Sequence, residues 1–150
     1  ETAEEMAAVL ELEFPHSDAL IMSAAVADAK VANYSEAKIR KESLNRVDLA
    51  KNPDILKSLS TNKKLNQIII GFAAETSEDL AMLEENGRAK LASKSLDLIY
   101  VNNVTNGAVF GSNFTQGLII DRDMNVIKVP EISKDTLSDI LLDQLVSKLG

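Results

Sequence analysis

Ala19-Leu20-Ile21-Met22-Ser23-Ala24 (ALIMSA) is apolar at nearly every position rather than at alternate ones. A strand with one wet face alternates, whereas a continuous apolar run implies cover on both faces, as in a parallel sheet flanked by helices. Gln67-Ile68-Ile69-Ile70-Gly71-Phe72 repeats the pattern most clearly, and Leu96-Asp97-Leu98-Ile99-Tyr100-Val101 supplies a third such strand. The stretches between them carry helix signals. Thr2-Ala3-Glu4-Glu5 fits a capping box, and Met6, Val9 and Leu10 follow at near-helical spacing, giving a helix of about twelve residues that Pro15 ends. Asn52-Pro53 reads as the N-cap and first turn of a second helix. Ser77-Glu78-Asp79 opens a longer one, with acids at its start and Lys90 and Lys94 at its end, the polarity that suits a helix dipole. Gln116–Asp121 and Asn125–Val129 flank Arg122-Asp123-Met124 as a hairpin. Ser133–Leu149 closes the chain as an amphipathic helix with Leu137, Ile140, Leu141, Leu145 and Leu149 on one side.

The expected class is therefore α/β: a Rossmann-like open sheet, mainly parallel with a C-terminal hairpin, and helices on both faces. Residues 1–150 read as a single domain. Ala29–Ser43 is polar and without clear period, so 29–45 is expected to form a flap or lid. Open nucleotide-binding sheets usually begin with a strand and a Gly-rich turn. This chain begins on a helix, and its six glycines form no phosphate-cradling cluster. The expectation is an N-terminally incomplete domain, or a phosphate site built another way.

Bulk properties exclude several functions. With 45% hydrophobic and 26% charged residues the chain suits a soluble domain, and its formal net charge of −7 argues against nucleic acid as a partner. There is no cysteine, hence no disulfide, thiolate nucleophile or cysteine–zinc site. The single histidine, His16, lies between a helix and a strand and reads as a solvated loop residue. No apolar run approaches the roughly 20 residues of a membrane span, and no signal peptide opens the sequence, so the default location is the cytoplasm.

Three unusual stretches follow the three strands: Ser23-Ala24-Ala25-Val26-Ala27-Asp28 (SAAVAD), Phe72-Ala73-Ala74-Glu75-Thr76 (FAAET) and Asn102-Asn103-Val104. Ligands of open α/β sheets bind outside the carboxyl ends of the strands, where these stretches fall. Small residues there let a flat ligand lie against the backbone. Asp28 could hold a ribose hydroxyl or magnesium, or could merely cap a turn. Phe72 could stack on a base or belong to the core. Lys90 and Lys94, at i and i+4, could clamp a phosphate or stay solvated. Lys38, Arg40 and Lys41 (in KIRK, residues 38–41) could close as a lid over a phosphorylated ligand, or form a solvated charged loop.

Taken in order, SAAVAD, KIRK, Lys51-Asn52-Pro53-Asp54-Ile55-Leu56 (KNPDIL), GFAAET, Asn102-Asn103-Val104 and Phe110-Gly111-Ser112 resemble bacterial phosphopantothenate–cysteine ligase, often the C-terminal half of a bifunctional coenzyme A biosynthesis flavoprotein. The resemblance implies an enzyme that uses CTP and Mg2+ to activate 4′-phosphopantothenate as an acyl-cytidylate, which cysteine then captures as an amide. It implies nucleotide contacts from Met22, Ser23 and Ala24, and from Asp28, which is also the candidate metal ligand. It further implies Lys38 as the catalytic lid lysine, Pro53, Asp54, Ile55 and Leu56 as the cytosine loop, and Phe72, Lys90 and Lys94 completing the CTP site. A homodimer is implied too, with no flavin on this chain and FMN only on a separate decarboxylase domain. Asn103 and Asn113 stand where the family usually has aspartates, keeping hydrogen-bonding shape without charge. The family's Gly-rich first unit has no counterpart here, so the chain alone is expected to bind CTP without being a competent ligase. Two readings compete: a dinucleotide-binding module of an NAD(P)-dependent oxidoreductase, and a non-catalytic dimerisation fragment.

Overall fold

The structure is a computed structural model that describes residues 2–35, 37–38, 46–77, 79–104 and 111–150. Arg40, Lys41, Ser43, Glu78 and Phe110, named above, lie outside the described residues. The core is one five-stranded sheet. Its strands are β1 (Ala19–Met22), β4 (Ile68–Glu75), β5 (Leu98–Asn103), β6 (Phe114–Asp121) and β7 (Val126–Ser133), hydrogen-bonded in that order. Parallel pairing joins β1 to β4 and β4 to β5, so the three apolar runs do form a parallel unit. From β5 outward the sheet is antiparallel, ending in the expected hairpin, which is longer than the sequence suggested. A separate antiparallel ribbon, β2 (Ala29–Val31) with β3 (Leu49–Lys51), stands beside this sheet. The first of these strands falls inside the polar stretch 29–43 read as irregular. Its residues are all exposed, so no hydrophobic period marks it.

Alternation along the strands divides the core into two layers. Ile69, Ala73, Ile99, Val101, Leu118 and Ile120 face one side. They pack there against α1 (Ala3–Glu13), the 3-10 turn Phe14–His16, α2 (Ile55–Asn62) and α3 (Leu80–Ser93). Ile68, Ile70, Leu98, Tyr100, Ile119 and Val129 face the other, under Leu137, Leu141 and Leu145 of α4 (Lys134–Leu149). Helices therefore cover both faces.

The helix starts follow capping chemistry. Thr2 and Glu5 form the complete capping box of α1. Asp79 caps α3. Asn52 is not the cap of α2: Asp54 takes that role, its Oδ1 accepting from Lys57 N–H at 3.2 Å, two residues later than the Asn-Pro signal implied. Pro15 does not simply end the first helix either. It sits in the opening turn of the short 3-10 continuation, where its missing N–H costs nothing.

The amino edge of the sheet is closed by an ionic cluster around the buried Asp97. Asp97 Oδ1 pairs with Arg122 at 2.7 Å, and Oδ2 accepts from Ile69 N–H at 2.8 Å and from Lys63 Nζ. Lys63 also donates to Gln67 O at 2.8 Å, and the Gln67 amide donates to Phe14 O and Ser17 O. Every polar atom of the Asp97 carboxylate is thus engaged, as burial of a charge demands.

Candidate functional site

At the opposite edge, three segments meet around a cavity of about 210 Å3. The first is the irregular stretch after β1, Ala24-Ala25-Val26-Ala27-Asp28. The second is Asn52-Pro53-Asp54 leading into Ile55 and Leu56 of α2. The third is Phe72 on β4, with Met22 below and Lys94 at the end of α3. β1 stops at Met22 because the residues after it form no further ladder to β4, which leaves backbone groups of 23–27 outside the sheet. The side chains there are one hydroxymethyl, three methyls and one isopropyl, so the main chain is most of what a ligand would meet.

The cavity's charge is distinctive. Lys94 Nζ lies 3.2 Å from Asp54 Oδ1, a cation–carboxylate pair set across the cavity wall. Asp28, also on the lining, is exposed. Phe72 is half-buried and meets Tyr100 edge-to-face, ring centroids 6.0 Å apart at 74°. That contact holds its ring on the α4 side while part of it still borders the cavity. Burial pushes the Tyr100 phenol up from its usual pKa, against the 2.7 Å hydrogen bond with Thr115 that pulls the other way.

Of the residues singled out from sequence, the structure brings Met22, Ala24, Asp28, Pro53, Asp54, Ile55, Leu56, Phe72 and Lys94 onto this one lining. Ser23 turns to a second, larger cavity of about 610 Å3 on the α4 side, which shares Ala24, Ala25 and Phe72 with the first. Lys90 stands apart from both linings. Its Nζ is 2.5 Å from Glu75 Oε1, and Asn86 Nδ2 holds Glu75 Oε2 at 3.2 Å. Lys38 is exposed and lines neither cavity. Two residues of the quoted stretches were given no site role from sequence: Glu75, counter-ion of Lys90, and Asn52, read only as a helix cap. The i, i+4 spacing of Asn86 and Lys90 opposite Glu75 was a usable signal for the first. Among the described residues, no group of three or more His, Asp or Glu is placed to hold a metal ion.

A family model described as the DNA/pantothenate metabolism flavoprotein C-terminal domain matches residues 1–149. The chain belongs to this family. It is 37% identical over 125 residues to the coenzyme A biosynthesis bifunctional protein CoaBC of Borreliella burgdorferi, covering 82% of this chain and 30% of that protein. Against the protein of the same name from Bacillus subtilis the figures are 38% over 133 residues, 87% and 32%. The chain thus spans about a third of the length of the curated relatives it matches. Among solved structures, the crystal structure of the C-terminal domain of CoaBC superposes with a TM-score of 0.73 at 27% identity, over 97% of this chain and 61% of that one. The family's C-terminal domain fold accounts for the mixed sheet, and the cavity lies at the carboxyl edge of its parallel half.

Proposed function

We propose that this chain provides the CTP-binding part of a phosphopantothenate–cysteine ligase in coenzyme A biosynthesis. The observation carrying the reading is the convergence of SAAVAD, the Pro53–Leu56 loop, Phe72 and Lys94 on one cavity, in a chain of the pantothenate flavoprotein family. In the proposed reaction the carboxylate of 4′-phosphopantothenate attacks the α-phosphorus of CTP. Pyrophosphate leaves and an acyl-cytidylate forms. The cysteine amine then attacks the acyl carbon, and CMP leaves as the amide bond closes.

Such chemistry asks for an oriented carboxylate and a neutralised triphosphate, with little proton transfer by side chains. The chain's inventory suits that demand: it has no cysteine, and its one histidine lies at the amino edge, next to β1's start. The backbone of Met22, Ser23 and Ala24 would line the nucleotide, the Pro53–Leu56 loop would face the base, and Lys94 would meet the phosphates after exchanging Asp54 for them. Lys90 would join it only by leaving Glu75, and Lys38 would act from the flap. Magnesium held by a triphosphate needs only one or two protein carboxylates, and Asp28 on the cavity wall meets that requirement. When bound, the ion supplies charge neutralisation on the phosphates. A homodimer belongs to the same reading and is checked by sedimentation.

The deciding test is the melting temperature with Mg2+ and CTP, beside ATP and NADH. Nucleotide at a hundredfold over its dissociation constant adds about 2.7 kcal/mol, or roughly 5–10 °C at this size. A shift with CTP alone supports the reading. A shift with NADH alone replaces it with the dinucleotide-binding alternative, and no shift with any nucleotide removes the nucleotide site.

A further inference from the structure

Asn52 is released from capping α2, and its backbone N–H and two side-chain polar atoms are disposed in an unusual way. Its backbone N–H donates to Asp28 O at 2.9 Å, adding a contact just past the Ala29–Lys51 pair of the β2–β3 ribbon. Its Nδ2 donates to Ala27 O at 2.8 Å. Its Oδ1 is buried and has no hydrogen-bond partner among the described residues. Rotating the amide by half a turn would not relieve this, because Oδ1 would then face the Ala27 carbonyl, acceptor against acceptor. The orphaned acceptor is therefore the cost of keeping Nδ2 on Ala27, and an unsatisfied buried group of this kind calls for an account. Pro53 adds a second restraint, since a residue before proline is held in extended backbone.

The two bonded carbonyls, Ala27 and Asp28, belong to one wall of the small cavity, and Pro53 and Asp54 begin the other. Asn52 is the residue that ties them, across 25 positions of sequence. We propose that Asn52 is a positioning residue for the nucleotide cavity: it fastens the 24–28 wall to the 53–56 wall and so sets where the Asp28 carboxylate stands. This rests on the nucleotide reading above. Asn52 touches no phosphate or base in this role; it acts through Asp28 and through the root of the ribbon.

The test uses Asn52→Ala, Asn52→Asp, Asp28→Asn and the double variant Asn52→Ala/Asp28→Asn. Without nucleotide, amides of residue 52 and the ribbon in Asn52→Ala should exchange at least about tenfold faster, with β4 and β5 unchanged. The melting temperature should move by less than about 3 °C, because the substitution also deletes the unsatisfied acceptor. The dissociation constant of Mg-CTP, read by calorimetry, should rise about tenfold in Asn52→Ala and at least as much in Asn52→Asp, which sets a carboxylate against the Ala27 carbonyl. If Asn52 works through Asp28, the double variant should bind within about twofold of Asp28→Asn alone. Unchanged exchange, wild-type affinity in Asn52→Ala, or losses that multiply in the double variant would each overturn the proposal. A wild-type protein that ignores Mg-CTP would instead remove the nucleotide reading, and the exchange data would still decide whether Asn52 fastens the two walls. Should Asn52→Ala not fold, Asn52→Ser, which keeps the backbone bond and loses the amide, takes its place.

Discussion

Ser95 holds a left-handed backbone, φ 50°, just after α3. Its N–H bonds Ala92 O and the next N–H, of Leu96, bonds Leu91 O, the paired pattern that ends a helix at a left-handed residue. Glycine adopts that conformation without the Cβ penalty, so Ser95→Gly should stabilise by about 0.5–1 kcal/mol, read from the urea midpoint. Gly117 has the opposite constraint. A Cβ there would sit 2.1 Å from Val101 O on the neighbouring strand, against backbone that cannot step aside. Gly117→Ala should cost about 3 kcal/mol by the same measurement, at the upper end of overpacking effects. Tyr100 predicts a pH limb. Its phenol pKa is raised in the fold, so the neutral form contributes stability that is present below the unfolded value of about 10 and lost as pH rises past it. Melting temperatures between pH 8 and 11 should fall more gently for Tyr100→Phe than for the wild type. Single residues were the least legible scale in sequence. Asn52 before Pro53 carries every mark of a helix cap, and only the position of Ala27 across 25 residues of chain reveals its other use.

Elements were read best where their hydrophobic pattern was strong. The three continuous apolar runs became the parallel strands, because covering both faces of a sheet requires that composition. The ribbon was missed for the complementary reason: its two strands have three residues each and bury almost nothing. At this scale the Asp97 cluster joins elements that propensity alone would leave loose, tying α2's end, β4's start and the β6–β7 turn. Lys63 is as buried as its partner. Asp97→Asn would leave that ammonium buried without its counter-charge, a class of change that costs about 3–5 kcal/mol. Chemical denaturation checks this. A loss under about 1 kcal/mol would mean Lys63 escapes to water. Glu75 with Lys90, and Asp54 with Lys94, show why the candidate site was only partly legible. Spacing locates a lysine on a helix face, but its counter-ion comes from a distant strand or loop.

The whole molecule is a sheet whose two layers are separate apolar clusters, one under α1, α2 and α3 and one under α4. The proposed nucleotide cavity borders the first layer, through Met22, Ile55 and Leu56. Its position was legible because strand ends and loop composition are both sequence properties; its depth and charge pairing were not. The division between a parallel and an antiparallel half also bears on the order of folding. Strands β6 and β7 are joined by a four-residue turn and α4 follows at once, so that half closes through contacts near in sequence. In contrast β1 meets β4 across 49 positions, Ala19 against Ile68. Closing long loops is entropically slow. The hairpin should gain protection first in a pulse-labelled refolding experiment, and the walls around Asp28 and Asp54 last. The half that carries the proposed chemistry would then be the half that a refolding chain completes latest, so nucleotide binding would report the end of refolding rather than its beginning.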